Sequence, residues 1–253
     1  MFKMPCVTFD ISTAVGLNIV CRLGAFHTLM NFLGSVGHLM RGAGLEDDLS
    51  LIYGPNTIEH VLSGRNYARA MRAHLLAYAA LNNILLKAVF SQEDDENCLL
   101  SLLNIHVDNT DINMSELKEV FKMSLNRDID VDNSQSLDCQ SVVSLSLLLE
   151  KVKGQLSELS RTSRLWLLYL SYVELVMQLL LAERTSNWEL HLFTLHKMLP
   201  LFAATGHLHY AKSARLYLQQ MQELPVNYPW LYDQFQQGYH SSVCRQVLGW
   251  SID

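Results

Sequence analysis

Arg65, Arg69 and Arg72 are the side chains in this 253-residue chain whose types and spacing point most directly to chemistry. On a helix running from Gly64 to Phe90, stepped at about 100° per residue, they fall with Lys87 within roughly 60° of one another. The opposite side carries Tyr67, Met71, Leu75, Tyr78, Leu81 and Leu85. Guanidinium groups stay charged and grip phosphate or carboxylate oxygens in pairs. Such a ridge suits a nucleic-acid backbone or an acidic protein partner, and it equally describes a solvated outer helix face.

Other reactive side chains lack the company that chemistry needs. Asp10 follows the β-prone run Val7-Thr8-Phe9, where a carboxylate could ligate a metal, yet one carboxylate makes no site and also suits a turn or helix cap. His27 and His38 share a helix face without a third ligand. His191 and His196 stand about 140° apart on a helix, and His207 and His209 about 200° apart, so neither pair shares an ion easily. Asp128, Asp130 and Asp132 open like a calcium loop, but Asn133 stands where that loop needs glycine and Cys139 where it needs glutamate. The zincin, nucleophile-elbow and phosphate-loop motifs are all absent from the sequence. No catalytic residue, metal, cofactor or small-molecule substrate is therefore expected.

The elements that would carry these residues are helices. From Leu23 to Met40 apolar residues recur at helical spacing, with Gly34 and Gly37 inside the pattern; the return for two helix-weakening glycines is close approach of a neighbouring helix. Gly42 and Gly44 end that helix, and a short acidic one around Glu46 follows to the Tyr53-Gly54-Pro55-Asn56 turn. The densest apolar run starts at Arg161. Its polar stripe is only Arg164, Ser171, Glu174 and Gln178, so the rest of the circumference reads as buried around Tyr169. The run is just long enough for a bilayer, but the central Glu174 favours a protein core, and no membrane contact is expected. Ser186 and Glu189 have capping-box spacing for the next helix, Pro200 should end or kink it, and Gly206 should stop it. A further helix runs from His207 to about Glu223, ahead of Pro225. Trp166 and Trp188 are expected in the core.

The organisation is thus mainly α: a bundle-like array of helices with a small β-prone segment at the N-terminus. Residues 1–22 form that segment and 23–125 an N-terminal helical region. An acidic linker at 126–138 precedes a C-terminal helical region, 139–253, which could form one domain with the first. Net charge of −6 argues against a generic nucleic-acid footprint while leaving room for a local basic patch. Five scattered cysteines without C-x-x-C spacing read as reduced thiols of an intracellular protein, nuclear or cytoplasmic.

Several long blocks carry a family resemblance: Thr8-Phe9-Asp10, Arg22 to Asp47, Leu62 to Asn82, Ala182 to Pro200 and Gly206 to Met221. Together they resemble an uncharacterised family of transposable-element-derived proteins of animal genomes. Against that pattern, a helix between Asp10 and Arg22 is shortened, and the chain stops at Asp253 where the pattern continues into an acidic stretch. The resemblance implies a copy reduced at both ends and a non-catalytic protein that binds nucleic acid or an acidic partner through Arg65, Arg69 and Arg72. One alternative it implies is the remnant of an RNase H-like, metal-dependent transposase or nuclease, with Asp10 a vestigial ligand for a divalent ion. Another is a gene fragment without function.

Overall fold

The computed structural model describes residues 23–90 and 139–238. Asp10, the β-prone run before it, and the 126–138 linker with its three aspartates lie outside the described residues. Among those residues there are nine α-helices and no strand, the mainly α array that the periodicity requires. They are α1 (Ala25–Met40), α2 (Leu45–Ser50), α3 (Pro55–Leu62), α4 (Tyr67–Phe90), α5 (Cys139–Leu159), α6 (Arg161–Arg184), α7 (Trp188–Ala204), α8 (Leu208–Asn227) and α9 (Pro229–Gln236). Two compact units form. One falls within Met1–Ala77 and Tyr169–Asp253, the other within Tyr78–Leu168, so the division passes through α4 and through α6.

In the first unit α1 buries Thr28, Leu29, Phe32, Leu33, Val36 and Met40 along one face. Its two glycines do what their cost demands. A β-carbon on Gly37 would overlap the backbone of Leu62, and one on Gly34 would stand 2.9 Å from the Ser63 carbonyl oxygen. Gly64, at a φ of 68°, has the carbonyl of Met30 where a side chain would be. The end of α3 therefore crosses α1 backbone to backbone, at a distance only glycine permits. Helix α3 itself starts from the Tyr53–Asn56 turn, with Pro55 in the first position, where its missing amide costs nothing.

Helix α4 begins later than the periodicity suggests. The left-handed Gly64 breaks the chain direction, the Asn66 side chain accepts a hydrogen bond from the Arg69 amide at 3.3 Å, and Tyr67 is the first helical residue. Arg65 thus lies in the connection rather than on the helix.

Helix α6 departs from the all-round burial its composition implies. By length and composition it could cross a membrane. Here its buried residues, Tyr169, Leu170, Val173, Val176, Leu179 and Ala182, form a stripe that begins only at Tyr169, while Leu168 and Leu181 are exposed. Phe32 meets Tyr172 and Phe202 edge-on at 5.8 and 5.6 Å, joining α1 to α6 and α7. Trp188, Leu195, Tyr217, Leu218, Met221, Leu224 and Phe235 form the apolar centre of α7, α8 and α9. Trp188 is buried as expected; Trp166, on the part of α6 in the second unit, is only half-buried.

Three local readings are corrected. The cap of α7 is Asn187, which accepts from the Leu190 amide at 2.9 Å, and Ser186 instead turns left-handed at a φ of 54°. That extra turn residue shifts the cap by one position. Pro200 does not end α7, which runs on to Ala204, and Pro225 lies inside α8, which ends at Asn227. Both prolines are exposed, and they lie in the last turns of their helices. There the hydrogen bond each one removes is replaced by water at little cost. Gly206, with a φ of 79°, does stop α7.

In the second unit, α5 and α6 meet at Ser160 and Ser163, whose amides and hydroxyls bond reciprocally at 3.2 and 3.0 Å. The Ser163 hydroxyl also donates to the Leu156 carbonyl at 2.7 Å. Leu148, Val152 and Val89 are its buried residues.

Two glycine-to-alanine substitutions separate these roles. Gly37→Ala should lower stability by about 3 kcal/mol, since the helix crossing cannot open without unpacking. Gly154→Ala, in an exposed helical site with open space around it, should raise it by roughly 0.5–1 kcal/mol. Urea denaturation of both variants followed by circular dichroism checks the pair.

Candidate functional site

The arginine ridge is positioned by the crossing just described. Arg65 leaves Gly64, and Arg69 and Arg72 occupy the first two turns of α4. All three are exposed, and none pairs with a carboxylate among the described residues. Lys87 is exposed in the last turn of the same helix. The inward face of these turns is small: Ala70, Ala73 and His74 are fully buried.

Across α4 from Arg69 and Arg72 stands an aromatic group that periodicity does not disclose. Tyr67 meets Phe26 with ring centres 4.9 Å apart, and Phe26 meets His27 at 5.5 Å, both edge-on. Phe26 remains 53% exposed. The Tyr67 hydroxyl is pushed above its usual range by burial, against the pull of the nearby Arg184 guanidinium. Arg184, exposed in the last turn of α6, is thus the cation whose charge bears on this hydroxyl. No sequence signal places it there, because it lies more than a hundred residues along the chain.

The other polar groups of this unit are turned inward. His191 Nδ1 stands 2.8 Å from the Glu183 carboxylate and its Nε2 stands 3.2 Å from the Tyr217 hydroxyl, while its ring stacks on Trp188. The simplest assignment has the carboxylate accepting from Nδ1–H and Nε2 accepting from the phenol. This resembles a catalytic relay in connectivity, but Tyr217 is buried and its hydroxyl meets no open face. The relay instead joins α6, α7 and α8. The predicted separation of His191 from His196 holds: the first is buried and the second exposed. His207 Nδ1 stands 3.1 Å from both the Ser35 and Thr205 hydroxyls, and burial together with nearby His38 lowers its pKa. The Tyr210 hydroxyl bonds Thr28 at 2.6 Å, and burial pushes it up to about 12. Among the described residues no three histidine, cysteine, aspartate or glutamate side chains gather as a metal site. Asp10 lies outside them.

His74 is the histidine most perturbed by burial among the described residues. Its Nδ1 stands 3.1 Å from the Tyr169 hydroxyl, and its buried Nε2 has no partner among the described residues. Burial alone lowers its pKa to about 4.

Residues 10–252 match the family described as a domain of unknown function (DUF8702), and the chain belongs to that family. No curated protein and no solved structure matches it.

The neutral, buried His74 sets a pH dependence. Its folded pKa of about 4 lies below the ordinary 6.5, so its stabilising contribution is complete above about pH 6.5 and is lost as pH falls toward 4. The loss should reach about 3 kcal/mol. Urea titrations between those values should show that slope, and His74→Phe should flatten it even though the variant is less stable overall.

Proposed function

We propose that this protein is a non-catalytic binding protein that engages the phosphate backbone of nucleic acid through Arg65, Arg69 and Arg72. The observation that carries the reading is the exposure of three arginines within eight residues, unpaired among the described residues, in the connection before α4 and in its first two turns. Unsatisfied guanidinium groups held close together favour a ligand with regularly spaced anionic oxygens. The resemblance of several blocks to mobile-element-derived proteins supports the same reading, since such elements act on nucleic acid.

The net charge of −6 does not oppose it. Residues 91–138 hold twelve acidic and three basic side chains, whereas the rest of the chain holds thirteen acidic and sixteen basic. The negative excess therefore belongs to one segment, and the ridge lies outside it.

Replacing all three arginines with alanine should weaken binding to labelled DNA or RNA and reduce the dependence of log affinity on log salt by about 2–3. Fluorescence anisotropy across a salt series measures both. Unchanged affinity and slope would remove the ridge as a nucleic-acid site, and retention of an acidic polypeptide by the wild type alone would assign it to a protein partner.

A further inference from the structure

We propose that the exposed turn after α2 docks on the arginine face of α4 in a second copy of this chain, so that the protein self-associates. The inference goes beyond the nucleic-acid reading: it uses the charge of the ridge and stands without any nucleic acid. Helix α2 buries Leu45 and Leu49. The residues just past its end are treated oppositely, with Leu51 85% exposed and Ile52 65%. The Leu51 amide donates to the Asp48 carbonyl at 3.4 Å and the Ile52 amide to the Leu49 carbonyl at 3.1 Å, so the helical winding continues past Ser50. Asp47 therefore stands one turn behind Leu51, and Asp48 one turn behind Ile52. Both aspartates are exposed, and neither pairs with a cation among the described residues. A single surface leucine is ordinary. Two adjacent large apolar side chains held in water on a hydrogen-bonded turn, with two unpaired carboxylates behind them, have the anatomy of a small protein contact.

The complementary strip lies on α4. Arg69 and Arg72 are exposed. Leu76, 46% exposed, falls between them in direction, about 20° from Arg69 and about 40° from Arg72. The strip from Arg69 to Leu76 is about 10 Å long, and that from Asp47 to Ile52 about 8 Å. Each runs from charge to apolar side chain in the direction of the chain. Laid face to face with the two helices parallel, the aspartates meet the guanidinium groups while Leu51 and Ile52 cover Leu76. Within one chain no described ion pair joins Asp47 or Asp48 to Arg69 or Arg72, so both strips are open to a neighbour.

Charge complementarity selects the occupant. A phosphate backbone is repelled by Asp47 and Asp48 and leaves Leu51 and Ile52 in water, whereas a second copy brings the cations and an apolar cover together. A neighbour's aspartates on the ridge and a nucleic-acid backbone would exclude one another, because both need the same guanidinium groups. The footprint is small, so the contact is weak and reversible, and association rises with concentration.

Sedimentation velocity of the full chain, without nucleic acid, tests the contact. The average sedimentation coefficient of the wild type should rise with protein concentration in about 0.05 M salt and stay low in about 0.5 M. The pair Asp47→Lys and Asp48→Lys, and separately the pair Arg69→Glu and Arg72→Glu, should each weaken association by about 10-fold or more. Mixing the two variants should restore it, as should all four substitutions in one chain, since opposite charges then meet again. Leu51→Ser with Ile52→Ser should weaken it about 10-fold with the charges intact. Wild type that stays monomeric in low salt overturns the proposal. So does association that either charge reversal or the serine pair leaves unchanged. Loss in both reversals with no rescue in the mixture or the combined variant also overturns it, because the two strips then do not meet each other.

Discussion

The bare contact between α1 and the end of α3 is the constraint from which the rest of the first unit follows. Gly34 and Gly37 let the backbone of Leu62 and Ser63 lie directly on α1, and Gly64 then turns the chain beneath the Met30 carbonyl. Because α4 begins three residues later, this crossing decides where Arg65 leaves the surface and why Tyr67 meets Phe26. Any β-carbon at Gly37 would push the two helices apart. The contact between Tyr67 and Phe26 would then be lost. The functional surface is therefore held in place by three residues with no functional groups at all.

Around that crossing, buried polar atoms connect helices distant in sequence. Thr28 bonds Tyr210, Ser35 reaches His207, and His74 meets Tyr169. Each link removes a polar pair from water and so is costly to break on one side only. The His191 relay adds a carboxylate to the same kind of link between α6, α7 and α8. Specific pairings of this type give an otherwise leucine-rich helical array a single registration, since apolar faces alone tolerate sliding. The outward face of α4 is the opposite case. Its arginines have no such internal partners among the described residues, and their charge remains free for a ligand.

Much of this architecture could be read from the residues, and the reasons for the failures are physical. Helix positions followed from spacing, and the purpose of Gly34 and Gly37 followed from their cost, because both are local statements about one helix. The α7 cap was misplaced by one residue because Ser186 and Asn187 both offer a capping oxygen. The choice between them depends on a left-handed turn that packs near Gly238. Proline signals a helix end, yet Pro200 and Pro225 sit exposed near the ends of their helices, where the lost hydrogen bond is cheap. Composition made α6 look buried all round, but the tertiary structure covers only the stripe through Tyr169 and leaves Leu181 in solvent. Trp166 fails for the same reason: its type favours a core, and its place on the helix face decides. The ridge is legible from spacing, whereas the contact of Phe26 with Tyr67 and the influence of Arg184 on its hydroxyl arise only from long-range packing.

The chain positions of these contacts also order the events of folding. Helices α7, α8 and α9 are consecutive, and the apolar centre they build closes over short stretches of chain. Helix α1 packs against α7 across more than 140 intervening residues, so its docking carries a far larger loop-closure entropy. The C-terminal hairpin can consolidate first and offer Phe202 and Tyr210 as a preformed seat, onto which α1 condenses with Phe32 and Thr28. A chain emerging from a ribosome therefore carries α1 without its seat until α7 and α8, more than 140 residues further along, have been made.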